Sequence, residues 1–154
     1  KLNILSFEIL SFENIFMENS DIYHLYREVL VQLEFGNHQA LRPFNLTVHQ
    51  FDALCILSEK TGVRMGELKD RLLSDNSKMT RTVDYLESNG LAERRPDPID
   101  RRAQVVFLTE AGQQLRNQAT VVHTQYLHQK FSALSEGEKN QLVTLLQKMR
   151  YAHE

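Results

Sequence analysis

The chain has little of what would cross-link, stiffen or anchor it. Its one cysteine, Cys55, excludes an internal disulfide and a CxxC metal or redox pair, so the fold needs no oxidising compartment. Cys55 lies in the apolar run "FDALCILSE". A small buried core residue is expected there, since a reactive thiolate needs exposure and nearby positive charge. Only three prolines and six glycines occur in 154 residues. The long stretches between them are rich in Leu, Glu, Gln and Lys, which favours a mainly helical fold. Neither charge dominates, and a net −2 gives no global case for a polyanionic partner. Catalytic signatures are missing as well. There is no HExxH, no glycine-rich phosphate loop and no nucleophile elbow, so neither an enzyme class nor a cofactor is implied.

A membrane-length apolar run is also lacking. The first sixteen residues, "KLNILSFEILSFENIF", repeat "ILSFE", but Glu8 and Glu13 interrupt them. The segment is too short and too charged to span a bilayer, and it lacks the cationic start and small-residue cleavage site of a signal peptide. Met17 followed by "ENSDIYHL" looks more like a natural start. Residues 1–16 are therefore expected to be an added extension or an alternative N-terminus. Nothing indicates export or a membrane, and the expected localisation is cytoplasmic. No linker rich in Pro, Gly or Ser divides the remainder, so residues 17–154 are expected to form one domain.

What is present is mostly helical periodicity. Asn19-Ser20-Asp21 offers a cap, and Ile22, Leu25, Val29 and Leu33 recur at steps of three and four, predicting a helix to about Leu41 that Pro43 ends. Tyr23, Tyr26 and Leu30 widen its apolar face. Thr47 and Gln50 form a capping box for a second helix, carried by Phe51, Leu54, Cys55 and Leu57 to about Lys60, where Gly62 closes it. "MGELKDRLL" is a compact third helix. Ser74 or Asp75 then caps a fourth, whose inward positions are Met79, Val83 and Leu86, with Gly90 as its C-terminal stop. Two helices joined by a tight turn, the second with a polar outer face, give a helix-turn-helix pattern. "LAERR" and "AQVVFLT" pair as a two-stranded ribbon around "PDPID". Thr109 starts a long helix to about Phe131, and the Ser135/Glu138 box opens a last one with Leu142, Leu145, Leu146 and Met149 inside.

Charge is concentrated in one place. From Arg64 to Arg102 lie nine cations and eight anions, so half of the 18 lysines and arginines occupy about a quarter of the chain. On the fourth helix Lys78, Arg81 and Tyr85 share one face, with Ser77 and Thr80 beside them near its N-terminal end. Hydroxyls and an ammonium suit phosphates, and a guanidinium suits either phosphate or the O6/N7 edge of guanine. The ribbon tip carries Asp100, Arg101 and Arg102. A narrow minor groove attracts arginine without base-specific contacts, so helix and tip together fit two grooves of one duplex. Asp100 either orients a neighbouring guanidinium or stabilises the turn.

The stretch "SKMTRTVDYLESNGLAERRPDPIDRRAQVVFLTEAG" resembles the winged helix-turn-helix of MarR-type transcriptional regulators. The resemblance is carried by T-R-x-V-D-x-L (Thr80, Arg81, Val83, Asp84, Leu86), G-L-x-E-R (Gly90 to Arg94), D-x-R (Asp100, Arg102) and L-T-x-x-G (Leu108, Thr109, Gly112). It implies a mainly α fold with a small β-ribbon: a DNA-binding winged helix over about residues 47–110, and long dimerisation helices over about 20–42 and 110–151. It further implies a homodimer that binds double-stranded DNA as a regulator, expected here to be a repressor at a pseudo-palindromic operator released by a small organic effector. Tyr23, Tyr26 and His38 are candidate effector contacts. Some relatives sense peroxide through cysteine or zinc through His and carboxylates. Cys55 does not match the cysteine position near the N-terminal helix. His123 and His128 are five apart, not the four that aligns two imidazoles on a helix face, so no metal site is expected. The competing reading from another class is a winged-helix protein-interaction module without DNA binding. Cations retained at both the helix face and the wing tip argue against it.

Overall fold

A computed structural model describes residues 18–100 and 102–151. The segment 1–16 and Arg101 lie outside the described residues. Two compact units are present, one ending at residue 34 and one beginning at Phe35.

Helix α1, Asn19–Leu41, starts where the Asp21 carboxylate accepts the Glu18 N–H at 3.3 Å. In the first unit its apolar side chains are largely solvent-exposed, with Ile22, Leu25 and Val29 at 45, 55 and 43%. Its last turn, in the second unit, buries Ala40 and Leu41. Pro43 then sits in a single 3-10 turn, Arg42–Phe44, as expected of a residue that cannot continue the α-helical hydrogen bonding.

Helix α2, Val48–Ile56, has the predicted reciprocal cap. Gln50 N–H donates to Thr47 Oγ1, and Thr47 N–H donates to Gln50 Oε1. The helix is one turn shorter than its sequence pattern suggests. Leu57 is extended and buried, and Ser58 Oγ accepts the N–H groups of Lys60 and Thr61. Such local side-chain bonds compete with the helix. The Ser58 carbonyl meanwhile accepts Leu108 N–H at 3.1 Å.

That connection brings in a strand absent from the sequence reading. Strand β1, Val63–Arg64, pairs antiparallel with β3, Gln104–Leu108, whose other edge pairs with β2, Ala92–Pro96. The ribbon is thus three-stranded, in the order β1-β3-β2. Gly62 is required at its entry, because a Cβ there would overlap Val105 and Phe107.

Helices α3, Met65–Arg71, and α4, Asn76–Ser88, form the helix-turn-helix. In the turn Leu73 takes a left-handed conformation, φ 47°, with its side chain exposed. Asp75 is the α4 cap, and Gly90 at φ 67° ends that helix as predicted. Leu41, Leu54, Leu57, Leu68, Met79, Val83, Leu86 and Val106 are fully buried and join these elements into one core.

Helix α5, Glu110–Phe131, begins at Thr109, whose Oγ1 accepts Gly112 N–H and donates to the Gly90 carbonyl. Helix α6, Glu136–Arg150, has the predicted Ser135/Glu138 box. Its expected inner face is not buried within the chain: Leu145, Leu146 and Met149 are 50, 46 and 57% exposed. No helix among the described residues is long and apolar enough to cross a membrane.

Candidate nucleic-acid interface

The two faces of α4 separate as its periodicity requires. Met79, Val83 and Leu86, together with Thr82, are buried, while Ser77, Lys78, Thr80 and Arg81 are exposed. Asp75 Oδ1 accepts Lys78 N–H at 2.7 Å. The N–H groups of Lys78 and then Ser77 hold that carboxyl below its ordinary range, so the cap stays charged at neutral pH. Arg81 Nε reaches back to the Ser77 carbonyl at 3.3 Å, leaving the rest of its guanidinium outward.

Tyr85 departs from the sequence expectation. It is half-buried against the core, and its hydroxyl donates to the Asn45 carbonyl at 2.6 Å. That bond ties α4 to the turn before α2, so the ring braces the helix and its polar end is already engaged.

The wing is built on a buried carboxylate. Asp97 is only 4% exposed and accepts Arg64 Nε at 2.6 Å, Ile99 N–H at 2.8 Å and Asp100 N–H at 3.0 Å. The Asp100 N–H, the Arg64 guanidinium and the Ile99 N–H, in that order, lower its pKa to about 2. Asp97 N–H closes the loop on the Ala103 carbonyl, and Ala103 N–H donates to the Asp100 carbonyl. Asp100 Oδ1 accepts the Arg102 backbone N–H at 3.1 Å. Of the two roles open to Asp100, this bond is that of a turn stabiliser. Arg102 is exposed at the tip; Arg101 is not among the described residues.

Ion pairing sorts the nine cations between Arg64 and Arg102. Arg64, Lys69, Arg71, Arg94 and Arg95 each have a carboxylate partner. Arg95 also lies over the Phe107 ring, 4.6 Å from its centroid. Lys78, Arg81 and Arg102 have no carboxylate at ion-pair distance among the described residues. Of the eight described cations, the three without such a partner, all exposed, lie on α4 and the wing tip; Arg101 is outside the described residues.

Arg94 has a role that composition does not suggest. From β2 its Nη1 reaches Asp84 Oδ1 and Glu87 Oε2, both at 2.6 Å, and its Nη2 reaches the Thr80 carbonyl at 3.3 Å. Its backbone N–H donates to Glu87 Oε1. The wing strand is thereby bolted to the back of α4. The separation of these partners by seven to fourteen residues gives no sequence signal beyond the G-L-x-E-R motif itself.

Cys55 corrects an expectation. It is exposed rather than in the core, because it lies about 100° around α2 from the buried Leu54. Partial burial among its neighbours, and then the Asp52 carboxylate, push its thiol pKa up against a smaller opposing effect of Arg116. Tyr23 and Tyr26 are exposed on the first unit. His38 belongs to the second, where with Gln39, Arg42, Asn45, Leu46 and Thr47 it lines a cavity of about 290 Å³. His123 Nε2 bonds Asn37 Oδ1 at 2.9 Å, and its ring packs against Phe51 and Tyr126.

Comparison with known proteins agrees with this architecture. The MarR family profile matches residues 46–103. The multiple antibiotic resistance protein MarR of Escherichia coli K12 is 34% identical over 113 residues, covering 73% of this chain and 78% of that protein. A MarR-family transcriptional regulator from Rhodococcus sp. RHA1 superposes with a TM-score of 0.75 at 27% identity, covering 90% of this chain and 98% of that one. CouR of Rhodococcus jostii RHA1, solved with p-coumaroyl-CoA bound, gives 0.74 at 29% identity, over 85% and 92%.

Proposed function

The chain belongs to the MarR family of transcriptional regulators, and from that membership we propose that it is a homodimeric repressor of a pseudo-palindromic operator. In this reading residues from about 47 to 110 form the DNA-binding winged helix. Helix α4 enters the major groove, with Ser77, Lys78, Thr80 and Arg81 toward the duplex, and the wing tip brings Arg102 to the minor groove; Arg101, next to it in sequence, is assigned the same role. Asp100 holds the tip, and Tyr85 braces α4. The carrying observation is that, among the described residues, Lys78, Arg81 and Arg102 are exposed with no carboxylate at ion-pair distance, while Arg64, Arg71, Arg94 and Arg95 each have one. A protein-interaction module would have no need to keep uncompensated charge at both places.

The terminal helices supply the dimer interface. Apolar residues of α1 and of α6 are exposed among the described residues, the kind of surface a partner covers. A small organic effector is supported by the ligand-bound CouR structure, and the cavity beside Arg42 and His38 would suit an anionic one. A peroxide-sensing variant gains little from an exposed Cys55 whose thiol is pushed up, since the thiolate is the reactive form.

Anisotropy titrations with promoter-derived duplexes over several salt concentrations test the proposal. Tight binding to a subset of fragments, weakening steeply with salt, is the expected result. Equal, weak binding to every fragment would leave the interaction-module reading standing.

A further inference from the structure

The helix carrying Ser77, Lys78, Thr80 and Arg81 is fastened to α2 by one imidazole. His49, half-buried in the first turn of α2, has Nδ1 at 2.8 Å from Thr82 Oγ1 on α4. Its Nε2 is 3.1 Å from Ser74 Oγ, in the turn between α3 and α4. The two contacts straddle Asp75, the α4 cap. Thr82 is only 6% exposed, so its hydroxyl needs a partner inside the protein.

The neighbours suit one neutral tautomer. Ser74 Oγ faces the Asp75 carbonyl at 3.4 Å, to which it can only donate, which leaves its oxygen to accept from Nε2–H. In the neutral ring Nδ1 then accepts the Thr82 hydroxyl hydrogen, and both nitrogens are engaged. The charged groups facing it are Lys78 on α4, Asp75 at the cap of α4, and Asp52 on α2 itself. Burial, and then Lys78, lower the imidazole pKa below 6.5, and the two carboxylates oppose this. Protonation would turn Nδ1 into a donor and place a second cation beside Lys78. The buried Thr82 hydroxyl would have to reverse and find another acceptor.

We propose that neutral His49 is the positioning residue of the recognition helix, holding its reading face in register so that sequence discrimination depends on this imidazole more than phosphate affinity does. The inference rests on α4 being the DNA-contacting helix. Long lysine and arginine side chains follow a phosphate through a small shift of the helix, whereas hydrogen bonds to base edges lose their geometry. The sign follows from the lowered pKa. The neutral latch is complete above pH 6.5 and is lost as pH falls through the depressed value.

The test uses the full chain, an operator selected from a random duplex pool at neutral pH, and a scrambled duplex of equal length. Anisotropy titrations of both run from about pH 8 to pH 5, for wild type, His49→Gln and Thr82→Val. For wild type the operator-to-scrambled affinity ratio should fall about tenfold on acidification, the size of one weak base contact, with a smaller change on scrambled DNA. His49→Gln should show a lowered ratio that stays flat with pH. Thr82→Val, nearly isosteric and removing only one partner, should lower the ratio at neutral pH and flatten its profile. If His49→Gln does not fold, the valine variant decides. A wild-type ratio constant across the range overturns the proposal, as does a variant that keeps both the wild-type ratio and its pH profile. A wild type that binds neither duplex at any pH refutes the DNA-binding reading itself, a result distinct from either.

Discussion

Arg64 Nε lies 2.6 Å from Asp97 Oδ2, joining β1 to the base of the wing across 33 positions of sequence. Asp97 is buried and spends its other oxygen on the N–H groups of Ile99 and Asp100. One carboxylate therefore organises both the attachment and the shape of the tip.

Replacing it should loosen the tip without unfolding the core. In Asp97→Asn the ion pair is lost, and the Ile99 and Asp100 amides should exchange hydrogen several-fold faster while core amides of α4 are unchanged. Because the Asp97 pKa is lowered from 3.8 to about 2, its contribution is full above 3.8 and is lost as pH falls toward 2. Equal tip exchange in both proteins at neutral pH would contradict the assignment.

Arg81 and Arg102 should fail differently. Arg102→Ala is expected to weaken binding to many sequences alike and to reduce the log–log salt slope by about 0.9, one phosphate's worth. Arg81→Ala should cost roughly 1–3 kcal/mol more on the operator than on random DNA, as for a base contact. If Arg101→Ala and Arg102→Ala both leave affinity and slope untouched, the wing is only a hairpin.

Sedimentation at micromolar concentration should show a dimer with no folded monomer, since obligate interfaces bury about 2,000 Å² or more. Adding charge to α6 with Leu145→Glu and Leu146→Glu should abolish the dimer, and operator binding with it. A stable folded wild-type monomer would remove the basis for two-site recognition.

Cys55→Ser should change little. The side chain is exposed, so packing is barely altered, and its raised thiol pKa argues against a ready thiolate. DNA binding and its response to an organic effector should match wild type. Release of the wild type from DNA by peroxide that disappears in the variant would instead make Cys55 a redox sensor.

Local signals made most of the helices legible in the sequence. The Thr47, Asp75, Thr109 and Ser135 caps and the Gly90 stop lie within a few residues of what they terminate. Long-range pairing was not legible. Val63 and Arg64 become a strand only because Val105 and Val106 arrive some forty residues later, and the same rearrangement shortens α2. Helical periodicity placed Tyr85 on the outer face, but its hydroxyl finds a carbonyl forty residues back. Apolar neighbours in sequence suggested a buried Cys55, although adjacent helical positions point in different directions. The apolar spacing of α6 suggested an inner face, but Leu145, Leu146 and Met149 are exposed, because periodicity marks a stripe without saying what covers it.

The Arg94 clamp has a consequence for how an operator can vary. Because Arg94 on β2 reaches Asp84, Glu87 and the Thr80 carbonyl together, the helix and the wing strand are joined like the arms of a caliper. With α4 and the tip docked as proposed, the offset between the base pairs they meet should be a constant of the protein, like a fixed tooth spacing. Inserting one base pair inside a half-site should be far more damaging than inserting one at the dyad, where only the joint between two copies has to adjust.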